Sequence, residues 1–265
     1  MDRDVATGPV PSKAGGARLL DLLRVMHRLR SPGGCPWDAE QTHRTLARHL
    51  LEETHETLEA IDAGDMDALR DELGDLLLQV VFHAEMAMQA GDFDVDDVAE
   101  TITAKLIRRH PHVFGDVVVG SAAEVLVNWE RIKTEEKGEH GIDEEIPSTL
   151  PALARASKVQ LRAAGVGFDW RTAEAALGKV REELDELSRA VEGEPDRVED
   201  ELGDLLFAAA AVGRRFNVDP ETALRKATRR FAERFERMKA TAAGQGVSLE
   251  ALPEDELLAR FRAAR

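Results

Sequence analysis

An all-α chain of two tandem helical bundles joined by a linker is the architecture this sequence predicts, and three observations predict it. First, one carboxylate pattern occurs twice: Glu52-Glu53-Thr54-His55-Glu56 then Asp71-Glu72-Leu73-Gly74-Asp75, and Glu182-Glu183-Leu184-Asp185-Glu186 then Asp200-Glu201-Leu202-Gly203-Asp204. The gap is 16 residues from Glu56 to Glu72 and 15 from Glu186 to Glu201. Second, apolar residues beside the acids recur at three- and four-residue steps, the period of a helix face. Third, no stretch alternates apolar and polar residues in the manner of a strand.

Along the chain, residues 1–16 are rich in Gly, Pro and Ala and read as a disordered extension without the apolar core of a signal peptide. Residues 17–137 form the first predicted domain. In it Leu69, Leu73, Leu76, Leu77, Val80 and Ala84 mark one stripe expected to be buried. Gly74 sits inside that helix, where glycine costs roughly 1 kcal/mol relative to alanine, so close approach of a neighbouring helix is expected there. Ser121-x-x-Glu124 is a capping box that starts a later helix. Residues 138–149, with glycine, acids and Pro147, read as the linker. Residues 150–265 form the second domain, where Val198, Leu202, Leu205, Leu206 and Ala209 repeat the stripe and Gly203 repeats the glycine. Asp219-Pro220 places an N-cap before a first-turn proline. Trp37-Asp38 matches Phe168-Asp169, and Lys105-x-x-Arg108-Arg109 matches Lys226-x-x-Arg229-Arg230. Each half offers four or five helices, as a bundle requires.

The formal net charge of −16 argues against a nucleic-acid partner, which needs clustered Lys and Arg. It leaves room for a small phosphate ligand, because bound cations reverse the local field. Cys35 is the only cysteine, so no intrachain disulfide forms and a reducing cytoplasm is the simplest compartment. The apolar runs at Leu76–Leu78 and Leu205–Val212 are too short to span a membrane.

Glu53 and Glu56, three residues apart, share one helix face, as do Glu72 and Asp75 on the next helix. Antiparallel packing of those helices would bring four carboxylates together, and their repulsion grows as water is excluded. A divalent cation resolves the conflict, and an all-oxygen ligand set favours Mg²⁺, with Mn²⁺ as a substitute. Glu183, Glu186, Glu201 and Asp204 repeat the set. A lone Glu-x-x-Glu is usually a solvated helix face; recurrence of the whole pattern tips the reading to metal. Lys105 with Arg109, and Lys226 with Arg230, are spaced i, i+4 and are candidate phosphate ligands. Other patterns fail on inspection. His55-Glu56-x-x-Glu59 lacks the last histidine of a zinc-protease helix, and neither a phosphate-binding Gly-Lys loop nor a Gly-x-Ser-x-Gly elbow is present. Cys35 in Gly-Gly-Cys-Pro-Trp shapes a turn, and His110 and His112 are balanced between phosphate contact and a helix end.

With these residues in place the chain resembles the MazG family of nucleoside triphosphate pyrophosphohydrolases, in its tandem-domain form, within the all-α NTP pyrophosphatase superfamily. The superfamily signature is Glu-x-x-Glu, a spacer, then Glu-x-x-Asp, and both quartets fit it. Gly34-Cys35-Pro36-Trp37-Asp38, Arg109-His110-Pro111-His112-Val113-Phe114 and Val166-Gly167-Phe168-Asp169-Trp170 add to the likeness, which runs from about Ala17 to near the C-terminus. The resemblance implies Mg²⁺-dependent hydrolysis between the α and β phosphorus to a monophosphate and pyrophosphate, a homodimer, and a housecleaning role against noncanonical nucleotides. It makes Glu53 and Glu183 catalytic ligands, with Glu52 and Glu182 as candidates for the base. It also assigns base stacking to Trp129; the second half departs from this, offering at best Phe261. A nucleotide sensor without catalysis, and an acidic scaffold that binds neither metal nor nucleotide, are the readings from other classes.

Overall fold

The computed structural model describes residues 16–121, 124–125, 128–129, 132, 136, 141–144 and 146–264. The extension at 1–16 therefore lies outside the described residues except for its last position, as do 138–140 and 145 of the predicted linker. The chain divides into two compact units, Met1–Gly138 and Glu139–Arg265. Among the described residues there is no strand.

The first unit contains α1 (Ala17–Arg30), α2 (Pro36–Glu40), α3 (His43–Ala63), α4 (Met66–Ala90), α5 (Val95–Arg109) and α6 (Pro111–Phe114). Local chemistry sets these boundaries. Thr42 and Thr45 form a reciprocal capping box at the start of α3. Gly64 ends α3 in the left-handed region at φ 69°, and Asp65 then caps α4 by accepting from the amides of Asp67 and Ala68. A joint of two residues forces α3 and α4 to run antiparallel. Between α1 and α2, Gly34 is required: a Cβ there would lie 2.2 Å from the Leu29 carbonyl oxygen. Cys35 follows it in that turn, its amide donating to Leu29 O.

Met26 of α1, Leu46 of α3 and Val81, Phe82 and Met86 of α4 form the core of this unit, with Leu22, Leu23, Leu29 and Leu78 packed around them. Glu85 is also buried, and His27 Nδ1 at 2.9 Å and Gln89 Nε2 at 2.7 Å hydrogen-bond its Oε1. A buried carboxylate without such partners would be costly.

The second unit contains α7 (Ala152–Gly165), α8 (Ala173–Gly193), a 3-10 turn at Pro195–Arg197, α9 (Val198–Arg215), α10 (Pro220–Gly244), a second 3-10 turn at Leu249–Ala251, and α11 (Glu254–Ala263). Thr172 caps α8; Asp219 caps α10 ahead of Pro220, the latter as the sequence predicts. Buried alanines dominate here: Ala176, Ala190, Ala208, Ala210, Ala211 and Ala242, with Met238. Small side chains let α9 lie close to α8 and α7. Asp169, before α8, takes a two-pronged grip from Arg214 at the end of α9, which holds its carboxyl below the usual range.

Two expectations need correction. The stripe on α4 is only partly buried: Ala84 is buried and Leu69 and Leu76 half-buried, but Leu73 is 50% exposed, Leu77 42% and Val80 44%. Leu202 and Leu206 of α9 are half exposed as well. The face of α4 that meets α1 and α3 carries Leu78, Val81, Phe82 and Met86 instead, and among the described residues of this unit no helix covers Leu73, Leu77 and Val80. Nor do Gly74 and Gly203 mark a close approach, since a Cβ on either would meet nothing within 4 Å.

Leu46 is 1% exposed in the centre of the first core. Leu46→Ala is expected to destabilise the first unit by about 2–5 kcal/mol, the usual range for a buried leucine. Urea unfolding checks this; a shift below about 1 kcal/mol would mean that the site collapses around the cavity.

Candidate active site

The hairpin of α3 and α4 carries the first carboxylate group. Thr57 of α3 is buried at the crossing, where its hydroxyl donates to Glu53 O at 2.8 Å and reaches toward Glu72 O at 3.5 Å. Glu53, Glu56 and Glu72 each place an oxygen within 4.8 Å of the others. Burial, then the charges of Asp75 and Glu56, push the Glu53 carboxyl above its ordinary value. Burial, then Glu56 and Asp75, do the same to Glu72. Asp75 thus acts on the cluster electrostatically but stands outside its tight group. Among the described residues no lysine or arginine pairs with any of these four acids.

The hairpin of α8 and α9 carries the second group: Glu183, Glu201 and Asp204 lie within 4.8 Å of one another. Glu186, the fourth predicted ligand, turns toward Arg189 at 3.4 Å. Glu183 and Glu201 are buried, unlike their counterparts Glu53 and Glu72. Lys179 Nζ sits 2.6 Å from Glu183 Oε1 and 2.9 Å from Glu182, and these partners hold the ammonium well above its usual pKa. Arg197 pairs with Glu201 and, at 3.2 Å, with Glu194. Glu183 Oε2 is buried and has no hydrogen-bond partner.

That unsatisfied oxygen, beside the carboxylates of Glu201 and Asp204, fits a hard divalent cation such as Mg²⁺ or Mn²⁺. So does the repulsion in the first group, which a cation would relieve. Glu52 and Glu182, the base candidates, are exposed and hydrogen-bonded to His49 and Lys179 respectively; neither belongs to a tight group.

The structure brings together two of the predicted substrate residues of the first unit. The Arg109 guanidinium lies 5.6 Å from the Trp129 ring centre. Glu136 binds Arg109 at 2.7 Å and Arg108 at 2.5 Å, so its carboxyl falls to about 2. The sequence reading missed Glu136, although it follows Trp129 by seven residues and so repeats on the same helix face. Lys105 is half-buried one turn before Arg109 on α5. The basic residues Lys179 and Arg197 were missed too, yet each stands four residues before a predicted ligand. Ser121 accepts from the Glu124 amide at 3.3 Å, in keeping with the predicted cap. His110 is the C-cap of α5 and its ring meets Leu106 O at 2.7 Å, which favours the helix-end reading.

In the second unit Lys226 and Arg230 are exposed on α10. Arg230 lines a hollow with Phe231, Arg234 and Phe261. Phe261 is already engaged: the Arg234 guanidinium lies 4.3 Å from its ring centre and Phe231 packs at 4.9 Å. The residue offered by sequence as a base stacker is thus a packing contact between α10 and α11.

Residues 41–114 match the MazG nucleotide pyrophosphohydrolase domain, and residues 150–231 match the family described as phosphoribosyl-ATP pyrophosphohydrolase. The chain is 47% identical over 247 residues to the nucleoside triphosphate pyrophosphohydrolase/pyrophosphatase MazG of Thermotoga maritima, covering 92% of this chain and 94% of that one. It is 48% identical to a nucleoside triphosphate pyrophosphohydrolase of Escherichia coli K12, covering 86% and 89%. It is also 44% identical to the uncharacterized protein YabN of Bacillus subtilis, covering 85% of this chain and 47% of that longer one.

A pH dependence follows from the first group. A carboxyl whose folded pKa is raised contributes stability below its unfolded value, and that contribution is lost as pH rises through the folded value. In EDTA the first unit is therefore expected to lose stability as pH rises above 4.5, the ordinary glutamate value. Glu72→Gln should then melt above the unsubstituted protein at pH 7, with a margin that vanishes toward about pH 4. Melting curves across that range check this; a margin independent of pH would show that repulsion is not its source.

Proposed function

The chain belongs to the MazG family of nucleoside triphosphate pyrophosphohydrolases, and on that premise we propose that it hydrolyses nucleoside triphosphates between the α and β phosphorus, yielding a monophosphate and pyrophosphate. The observation that carries this reading is the convergence of Glu53, Glu56 and Glu72, repeated by Glu183, Glu201 and Asp204. In each unit these acids would hold Mg²⁺, with Mn²⁺ able to substitute. Bound there, the cation supplies Lewis acidity and neutralises phosphate charge. Asp75 and Glu186 would complete the quartets when a cation is bound.

The protein's own residues orient the substrate. Lys105 and Arg109 on α5, and Lys226 and Arg230 on α10, present positive charge to the triphosphate. Trp129, held beside Arg109, offers an aromatic face for the base in the first unit. In the second unit the hollow at Arg230 has no tryptophan, and Phe261 is occupied by Arg234. Base selection therefore rests on the first unit, and noncanonical nucleotides are its proposed targets in a housecleaning role. Glu52 and Glu182 keep the proposed base role only if they leave His49 and Lys179 when substrate binds.

Two further features support a homodimer. Leu73, Leu77 and Val80 leave an apolar face of α4 open, and Leu202 and Leu206 do so on α9. Gly74 and Gly203 stand on the same helices with nothing near them, room that a partner helix would use. No helix among the described residues is long and apolar enough to cross a membrane. A cytoplasmic enzyme acting on small nucleotides, with no nucleic-acid or membrane partner, is the setting consistent with the acidic surface and single cysteine.

Glu72→Gln with Glu201→Gln is expected to lower turnover by about 10²-fold or more while helical content survives. Product analysis with Mg²⁺ and with EDTA checks the reaction: monophosphate and pyrophosphate, lost in EDTA, are expected. Diphosphate with orthophosphate would overturn the bond assignment. Binding without product would make the chain a nucleotide sensor. Light scattering is expected to give twice the 29.2 kDa chain mass; a monomer would refute the dimer.

A further inference from the structure

The arginine pair that ends α5 already holds an anion. Glu136 Oε2 accepts from Arg109 Nε at 3.1 Å and from Arg109 Nη2 at 2.7 Å, while its Oε1 accepts from Arg108 Nε at 2.5 Å. One carboxylate thus engages three N–H donors of two guanidinium groups. The Nε and Nη2 edge of an arginine is also the edge that grips a phosphoryl group with two parallel bonds. The Glu136 side chain is 18% exposed and that of Arg109 13%, so water screens this contact less than it screens an open surface pair. The bond from Arg108, then those from Arg109, pull the Glu136 carboxyl down to about 2, so it stays charged throughout the neutral range.

We propose that Glu136 is an internal competitor for the triphosphate of the first unit: it occupies the phosphate-binding edge of Arg109 together with Arg108, and an incoming triphosphate must displace it. This rests on the reading of Arg109 as a phosphate ligand. The physical reason is that a carboxylate and a phosphoryl group ask for the same donors in the same plane. A residue that merely steadied Arg109 for substrate would hold another edge and leave this one open. Glu136 instead takes both donors of the gripping edge. A triphosphate carries several negative charges against the single charge of Glu136, so it has the Coulombic advantage in the exchange.

The exchange reaches the indole as well. The Trp129 ring centre lies 5.6 Å from the same Arg109 guanidinium that Glu136 holds. Residues 129 and 136 are both helical and stand seven apart, about two turns. Arg109 is therefore the joint between the internal anion and the aromatic ring, and an arginine drawn onto a phosphate changes the surroundings of both. Glu136 is a positioning residue in this scheme: it acts on the substrate through Arg108 and Arg109.

Trp37, Trp129 and Trp170 are the tryptophans of the chain, so Trp37→Phe with Trp170→Phe leaves an emission that reports the first unit alone. The test titrates this full-length protein with inorganic tripolyphosphate in Mg²⁺ and follows the emission of Trp129. Tripolyphosphate is expected to shift that emission, and Arg109→Gln to abolish the shift. Glu136→Gln is expected to lower the half-saturating concentration by about fivefold or more, as removal of a charge-assisted contact from the competition requires. Glu136→Ala, which leaves no acceptor at all, should lower it at least as far and repeats the test if the glutamine variant does not fold. A half-saturating concentration that is unchanged or raised in these variants would overturn the competitor and leave Arg109 a phosphate ligand. A Trp129 emission that no tripolyphosphate moves, in any of these proteins, would overturn the reading of Arg109 itself.

Discussion

Repulsion among carboxylates gathered on a helical hairpin is the constraint on which the rest of each unit depends. Acids within 4.8 Å of one another favour separation, and the fold must hold them against that tendency. In the first unit the restraint comes from seven residues further along the hairpin. Leu46 lies two turns before Glu53, and Phe82 lies two turns after Asp75, both in the main core. At the other end, the tight Gly64-Asp65 joint fixes the register of α3 against α4. The acids sit between two firmly held regions, where they can neither spread nor slide.

The second unit meets the same constraint differently. Its core is built from alanines, which brings the helices close and buries Glu183 and Glu201. Such burial could not stand with bare acids, and Lys179 and Arg197 make it possible. Close packing and internal counterions therefore belong together, as do looser burial and, among the described residues, acids without a lysine or arginine partner in the first unit. The duplicated pattern preserved the acids and let their electrostatic setting diverge.

Much of this was legible in the sequence, and the reasons differ by feature. The all-α class followed from periodicity, and the caps at Ser121 and Asp219 followed from side-chain chemistry that acts within three residues. The convergence of Glu53, Glu56 and Glu72 was legible because i, i+3 spacing fixes a helix face. The burial of the α4 stripe was not, because periodicity reports which residues share a face but not whether the same chain covers it. Leu73 and Val81 are equally apolar; only the position of α1 makes one exposed and the other buried. Glu136 escaped notice because its role depends on a contact with Arg108 and Arg109 more than 25 residues away. Lys179 and Arg197 escaped for another reason. Attention to what the two copies share hides the positions at which they differ.

Those differing positions carry the functional argument further than the shared ones. The acids are shared by both halves, but the two halves match different families, each described as a pyrophosphohydrolase. The aromatic element diverges in parallel. Trp129 stands beside Arg109 in the first unit, whereas Phe261 is committed to Arg234 and Phe231 in the second. In the second unit Lys179 and Arg197 pair with two of the three gathered acids, and an arginine lies over the aromatic ring in both units. The first site has an acid cluster that no lysine or arginine among the described residues pairs with, and an indole beside an arginine. The asymmetry in charge and the asymmetry in ring packing fall on the same duplicated module, so the two units present different surroundings to whatever reaches their acids.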